Sequence, residues 1–179
     1  MEHTLSLEQE KQLVIAAKKD MARFADLYEY YLPRIYRYVQ YRTSSQADAE
    51  DITATVFLKA VEHFAEYEWR GLRVGAWLYR IAHNALVNHY QRRADVTLDD
   101  VPEAFFADDA PVTLADRADY ELIRMHLQRF PDDVQHAFTL RVTEGMTNKE
   151  IAEALGTSEA AVKMLMHRTI KKLQDLHAA

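Results

Sequence analysis

Residues 147–173, TNKEIAEALGTSEAAVKMLMHRTIKKL, consist of two amphipathic runs separated by a single glycine. Thr147 followed three residues later by Glu150 matches a capping box, which marks the start of a first helix. Gly156 suits the turn, and Ser158 suits the N-cap of a second helix. The stretch therefore predicts a helix-turn-helix, although an ordinary corner between two packed helices would show the same signals.

The second helix of this unit is more apolar than a DNA-reading helix usually is. Spacings of four, three and four residues predict a buried stripe of Val162, Met166, Thr169 and Leu173. Leu165 and Ile170 flank this stripe, whereas Met164 lies off it, where its side chain would contact a thymine methyl group or a protein partner. The side chains of a type suited to bases and phosphates are Glu159, Lys163, His167, Arg168, Lys171 and Lys172.

The composition of the whole chain favours a protein made almost entirely of helices. Its 179 residues include only four glycines and four prolines, while alanine, leucine, glutamate and arginine are plentiful. The absence of cysteine excludes disulfides and thiolate metal sites. Residues 1–20 have neither the charge pattern of a signal peptide nor the length of a membrane span, so we expect a cytoplasmic protein.

An enzyme is the class of function that the sequence supports least. The chain contains no glycine-rich phosphate loop, no His-Glu-x-x-His motif and no cysteine nucleophile. Its eight histidines form no ligand-like pair, since His83 and His89 are too far apart around a helix to share a metal. We therefore predict neither catalysis nor a bound cofactor or metal.

Charge is segregated along the chain, so that the formal net charge of −6 conceals a basic segment. Residues 70–93, RGLRVGAWLYRIAHNALVNHYQRR, contain five arginines and no acidic residue. Residues 94–121 contain nine acidic residues against a single arginine. This pattern suits contact with phosphates at one place better than diffuse attraction to nucleic acid.

Hydrophobic periodicity predicts four helices before residue 94. The first covers residues 7–20, and its apolar positions are Leu7, Val14 and Ile15. The second begins near Met21 and contains Pro33, which would bend or divide it. The apolar positions of the second helix are Phe24, Leu27, Tyr28, Tyr31, Ile35, Tyr38 and Val39.

The third and fourth helices are separated by a loop that contains two glycines, EYEWRGLRVGAW. Ser45 suits the N-cap of the third helix, whose apolar positions are Ile52, Val56, Phe57, Ala60, Val61 and Phe64. The fourth helix covers about residues 75–93, and its apolar face consists of Trp77, Leu78, Ile81, Ala82, Ala85 and Leu86. We therefore expect Trp77 to be a core residue.

Residues 94–115 lose this periodicity, contain two prolines and are acidic, which predicts a linker between two domains. A solvated tether would have the same composition, but Phe105 and Phe106 favour docking of part of it on another surface. After the linker we expect one helix that ends at Phe130 and another over residues 131–144, before the helix-turn-helix.

Three blocks of the sequence resemble one known family, the small bacterial RNA polymerase sigma factors of the extracytoplasmic-function group. Region 4 of that family is similar to residues 130–173, FPDDVQHAFTLRVTEGMTNKEIAEALGTSEAAVKMLMHRTIKKL. Region 2.2 resembles residues 47–64, ADAEDITATVFLKAVEHF, and regions 2.3 to 2.4 resemble residues 74–93, VGAWLYRIAHNALVNHYQRR. The resemblance covers about residues 20–93 and 114–174.

The resemblance implies an all-α fold of two small helical domains joined by the acidic linker. Residues 1–20 would be an N-terminal extension, 21–93 region 2, 94–115 the linker and 116–179 region 4. Region 2 of the family docks on core RNA polymerase and melts the −10 element of promoter DNA, while region 4 reads the −35 element. The linker threads toward the active-site cleft of the polymerase, and an anti-sigma protein usually restrains members of this group, so we expect these partners here.

The resemblance and the residue types together indicate three sets of site residues. The side chains suited to capture an unstacked base and hold a separated strand are Tyr67, Trp69, Arg80, Asn84, Asn88, Arg92 and Arg93. The −35 element would be contacted by Glu159, Lys163, Met164, His167, Arg168 and Lys171. The polymerase would be contacted by Asp48, Glu50 and Asp51, above a buried Phe57, although Ala54 and Thr55 stand where the family has a polar pair.

Two other interpretations remain open from the sequence. A stand-alone transcriptional regulator would bind duplex DNA as a dimer through the same C-terminal module, but residues 21–93 do not resemble the phosphate-receiving α/β domain of many such regulators. A sigma-like adaptor would act mainly through protein contacts, which the departures at Ala54, Thr55 and Met164 favour. Co-purification with core polymerase distinguishes the three.

Overall fold

The computed structural model describes residues 5–94 and 130–177. Their α-helices, in chain order, are α1 (Leu7–Lys19), α2 (Phe24–Gln40), α3 (Gln46–His63), α4 (Val74–Ala94), α5 (Asp132–Glu144), α6 (Asn148–Leu155) and α7 (Glu159–His177). One turn of 3-10 helix, Met21–Arg23, precedes α2. The chain divides into two compact units, and α1–α4 belong to the first and α5–α7 to the second. The prediction of two all-α domains is confirmed.

Three predictions fall outside what the structure describes: the acidic linker with its Phe105–Phe106 pair, the helix that would end at Phe130, and the burial of the Leu173 side chain. Among the helices that are described, none combines the length and the apolar character needed to cross a bilayer.

The core of the first unit lies between α2, α3 and α4, and α1 packs against α2. Its fully buried side chains include Leu27, Ile35, Val39, Val56, Leu78, Tyr79 and Leu86. Tyr79 was missed by the predicted apolar stripe of α4, while Trp77 of that stripe is only half-buried. Phe57 is buried as predicted, and its ring packs edge-on against Tyr28 at 4.8 Å between centroids.

The predicted apolar face of α1 was wrong at two of its three positions. Leu7 and Ile15 are exposed, whereas the buried residues of α1 are Glu10, Val14 and Ala17. Tyr28 of α2 and Val61 of α3 are also exposed. Periodicity assumes that the buried face of a helix consists of its apolar residues. The buried face of α1 includes the carboxylate of Glu10, which the pattern counts as polar.

Helix α2 continues through Pro33, so of the two expected effects of this proline, a bend or a division, the division does not occur. A proline inside a helix costs about 3 kcal/mol because one hydrogen bond is lost and the ring crowds the preceding turn. Here Tyr31 and Ile35, on either side of Pro33, are both buried, and their packing offsets that cost.

The second unit forms the predicted helix-turn-helix. Thr147 and Glu150 make the capping box at the start of α6, and Gly156 ends that helix in a left-handed conformation, with φ of 65°. Ser158 Oγ then accepts a hydrogen bond from the Ala161 N–H at 3.2 Å, which caps α7. The core of this unit includes Ala137, Leu140, Met146, Ile151, Val162 and Met166.

Candidate nucleic-acid interface

One face of α4 presents a stripe of polar and basic side chains to solvent. Its members are Arg80, Asn84, Asn88 and Arg92, all of them exposed. Four-residue spacing places each one a turn beyond the last, so the stripe extends about 18 Å along the helix. The opposite side of α4 is buried against α2 and α3 and thus holds the stripe on a rigid support. Arg93 lies in the last turn of α4, and its side chain is outside the described ones.

The α3–α4 loop, residues 64–73, brings aromatic side chains to the start of this helix. Tyr67 stacks on Phe64 with ring centroids 6.0 Å apart and contacts the Trp77 ring at 4.8 Å. Phe64 is buried, so this aromatic cluster ties the loop to the core. Trp69 is half-exposed. Of the two aromatic residues predicted to capture a base, Tyr67 therefore lies in a packed cluster and Trp69 farther along the loop.

Sequence reasoning passed over two exposed residues near this segment. Arg70 in the α3–α4 loop is exposed, and Tyr90 on α4 is 39% exposed, on a different side of the helix from Asn88 and Arg92. The Tyr90 ring packs edge-on against His89 with centroids 5.6 Å apart.

The three acidic residues predicted to meet the polymerase do not share one environment. Glu50 and Asp51 are exposed on the first turns of α3. Asp48 is half-buried, and its Oδ2 lies 4.0 Å from Nε2 of His89 on α4. Asp48 therefore faces the fourth helix, which leaves the outer surface of α3 to Glu50 and Asp51.

All six side chains predicted to contact the −35 element are exposed on α7. Glu159, Lys163, His167 and Lys171 form one row at four-residue spacing, and Met164 and Arg168 form the neighbouring row. Met164 is 55% exposed, as predicted from its place off the buried stripe. Of the two residues expected to widen that stripe, Leu165 is half-buried and Ile170 is exposed.

Comparison with known proteins agrees with this arrangement. Residues 27–96 match the family model described as Sigma-70 region 2, and residues 120–173 match that described as Sigma-70, region 4. RNA polymerase sigma factor CarQ of Myxococcus xanthus is 31% identical over 159 residues, which cover 86% of this chain and 88% of CarQ. ECF RNA polymerase sigma factor BldN of Streptomyces coelicolor is 31% identical over 161 residues, 86% of this chain, but the chain spans only 60% of BldN.

A solved structure shares the fold. CnrH, in complex with the cytosolic domain of CnrY, superposes with a TM-score of 0.68 at 19% identity, covering 94% of this chain and 97% of that one. No enzyme family is indicated by any of these matches. The chain therefore belongs to the sigma-70 family of RNA polymerase sigma factors, within its extracytoplasmic-function group of transcription initiation factors.

Proposed function

We propose that this chain binds core RNA polymerase, directs it to a promoter and holds the separated −10 strand open. The observation that carries the proposal is the exposed stripe Arg80, Asn84, Asn88 and Arg92 beside the α3–α4 loop. A separated strand offers phosphates and unstacked bases. Arginines suit the phosphates, asparagine amides suit base edges, and the half-exposed Trp69 supplies a ring for stacking.

The −35 element is contacted by the two rows of α7. Lys163, His167, Lys171 and Arg168 lie at the positions that reach phosphates and base edges when a second helix enters the major groove. Glu159 at the start of the helix accepts from a cytosine amino group, and Met164 contacts a thymine methyl group.

Core polymerase binds the outer surface of α3. Glu50 and Asp51 supply its charge, and Leu58 and Val61 on the same helix are exposed apolar residues. Such a mixed surface is typical of a protein-binding site. From the family we also expect an anti-sigma protein that competes for these surfaces.

Reconstitution with core polymerase on a promoter library tests the proposal. The chain should co-elute with core, and permanganate should detect unpaired thymines in one −10 sequence. Asn84→Ala should reduce that strand separation about tenfold, since a good base contact contributes roughly 1–3 kcal/mol. Glu29→Ala, at an exposed position of α2, should leave it within about twofold.

Two results would contradict the proposal. Tight binding to duplex DNA without core polymerase would indicate a stand-alone regulator. Binding to core without initiation at any promoter would indicate an adaptor.

A further inference from the structure

Both ends of the α3–α4 loop are hydrogen-bonded to α1. At the start of the loop, Lys18 Nζ donates to the Ala65 carbonyl at 2.8 Å, and the same ammonium lies 5.4 Å above the Phe64 ring. At the end of the loop, the Val74 N–H donates to Glu10 Oε2 at 2.9 Å. Lys18 and Glu10 are two turns apart on α1, so one helix spans the loop.

The hydrogen bonds of Glu10 are buried and join three helices, α1, α2 and α4. Glu10 is fully buried, and its Oε2 accepts from the Tyr31 hydroxyl of α2 at 2.8 Å as well as from Val74. Burial and the neighbouring Glu10 raise the pKa of Tyr31 well above its usual value, so this hydroxyl stays a donor. A carboxylate beside the first N–H groups of α4 is also favoured by the helix dipole.

The fit around Tyr31 is close. A Cβ atom added at Gly75 would lie 2.9 Å from Tyr31 Cε1, so the ring sits directly on the first turn of α4. Tyr31 therefore links the buried carboxylate to the first turn of α4, the helix that carries the stripe.

We infer that α1 clamps the α3–α4 loop in the conformation that captures the separated strand, with Glu10 and Lys18 as its positioning residues. This inference rests on the proposed function of the loop. Helix α1 precedes the residues matched as Sigma-70 region 2, which begin at residue 27, and the sequence alone placed it in an N-terminal extension.

Fixing both ends of a short loop lowers the entropy that it loses when a strand binds. Lys18 also contacts the aromatic cluster, because the Phe64 ring beneath its ammonium group is stacked with the Tyr67 ring. Loss of either bond releases one end of the loop while leaving the stripe on α4 in place.

Tryptophan fluorescence tests the clamp in the chain alone. Both tryptophans, Trp69 and Trp77, lie in the loop or just after it, so acrylamide quenching reports on this region. Lys18→Met should raise the quenching constant about twofold as the loop opens locally, and Lys18→Arg, which keeps a donor, should restore it. Lys19→Met, at an exposed neighbour, is the matched control.

Glu10→Gln is the second variant, and Glu8→Gln at an exposed position is its control. Removing the charge weakens the bonds to Val74 and Tyr31, so quenching should again rise. Circular dichroism at the assay temperature verifies that each variant is folded. Unchanged quenching in both Lys18→Met and Glu10→Gln would overturn the clamp.

Strand capture is measured with the holoenzyme and a single-stranded −10 oligonucleotide. Lys18→Met should raise the Kd about tenfold, the cost of ordering a loosened loop, while binding to core polymerase stays unchanged. A raised quenching constant in Lys18→Met together with normal oligonucleotide binding would overturn the inference and leave the proposed function standing. A wild-type holoenzyme that fails to bind the oligonucleotide would instead contradict the proposed function, and quenching alone would then decide the clamp.

Discussion

Tyr38 lies in the core of the first unit, with the Arg42 guanidinium 4.2 Å from the centroid of its ring. Burial raises the pKa of Tyr38 to about 12, against a smaller opposing effect of Arg42. The folded protein therefore disfavours the tyrosinate more strongly than the unfolded chain does.

The free energy of unfolding should fall as pH rises above 10. Below pH 10 the tyrosine is protonated in both states, whereas between pH 10 and about 12 the unfolded chain loses its proton first and is stabilised. The contribution lost at Tyr38 is on the order of 2 kcal/mol. The difference between wild type and Tyr38→Phe in urea unfolding at pH 9 and pH 11.5 measures it, because the raised pKa of Tyr31 affects both proteins.

Tyr38→Phe should flatten this dependence, and Tyr28→Phe, at an exposed position, should not. The slope with pH, not the stability at one pH, is the quantity to compare, because either change also alters packing. Equal slopes in wild type and Tyr38→Phe would contradict the prediction.

A separate prediction concerns the contact between Met164 and a base of the −35 element. Met164→Ala should reduce binding to the −35 element about fivefold at one thymine-containing position, because only an apolar contact is lost. Arg168→Ala should instead weaken binding to every sequence and lower the slope of log Kd against log salt by about one. Val142→Ala, at an exposed apolar position of α5, is the control for general loss of apolar surface.

These effects are measured by titrating holoenzyme into labelled promoter at several salt concentrations. A uniform loss across sequences in Met164→Ala would contradict a thymine contact and favour a protein contact at this position.

At the scale of the element, Gly75 is where helix propensity and packing disagree. Alanine usually stabilises a helix by about 1 kcal/mol relative to glycine. At Gly75 the new methyl group would lie 2.9 Å from the buried Tyr31 ring. Gly75→Ala should therefore destabilise the first unit by about 1–3 kcal/mol, as overpacking does.

Thermal unfolding followed by circular dichroism tests this prediction. Tyr31→Phe is made in both the wild-type and the Gly75→Ala backgrounds, because it removes the hydroxyl that lies 3.2 Å from the added Cβ and also the hydrogen bond to Glu10. A smaller loss of stability in the Gly75→Ala background would locate the strain at Tyr31, and a raised Tm in Gly75→Ala alone would contradict it.

The elements themselves were largely predictable. Helix starts at Ser45, Thr147 and Ser158 were predicted from side chains that accept hydrogen bonds from the backbone two or three residues later, and each of these bonds is present. Faces were less predictable, as α1 shows. Its buried side contains Glu10, whose partners are 21 and 64 residues away.

Over the whole molecule, segregation of charge agrees with the division of the chain. The basic segment 70–93 coincides with the end of the α3–α4 loop and with α4, where Arg80 and Arg92 are exposed beside the two asparagines. A net charge of −6 for the full chain is therefore a poor guide to its partners, because phosphates respond to local charge within about a Debye length.

The sequence by itself determined the all-α fold, the helix-turn-helix and the exposed faces of α4 and α7, because capping, left-handed glycine and helical period act within a few residues. The tertiary structure alone decided that α1 belongs to the core of the first unit, that Asp48 faces His89 and that Tyr67 is stacked on Phe64. Each of these depends on which distant residue lies opposite, and a buried carboxylate is stabilised only when the chain brings its donors to it.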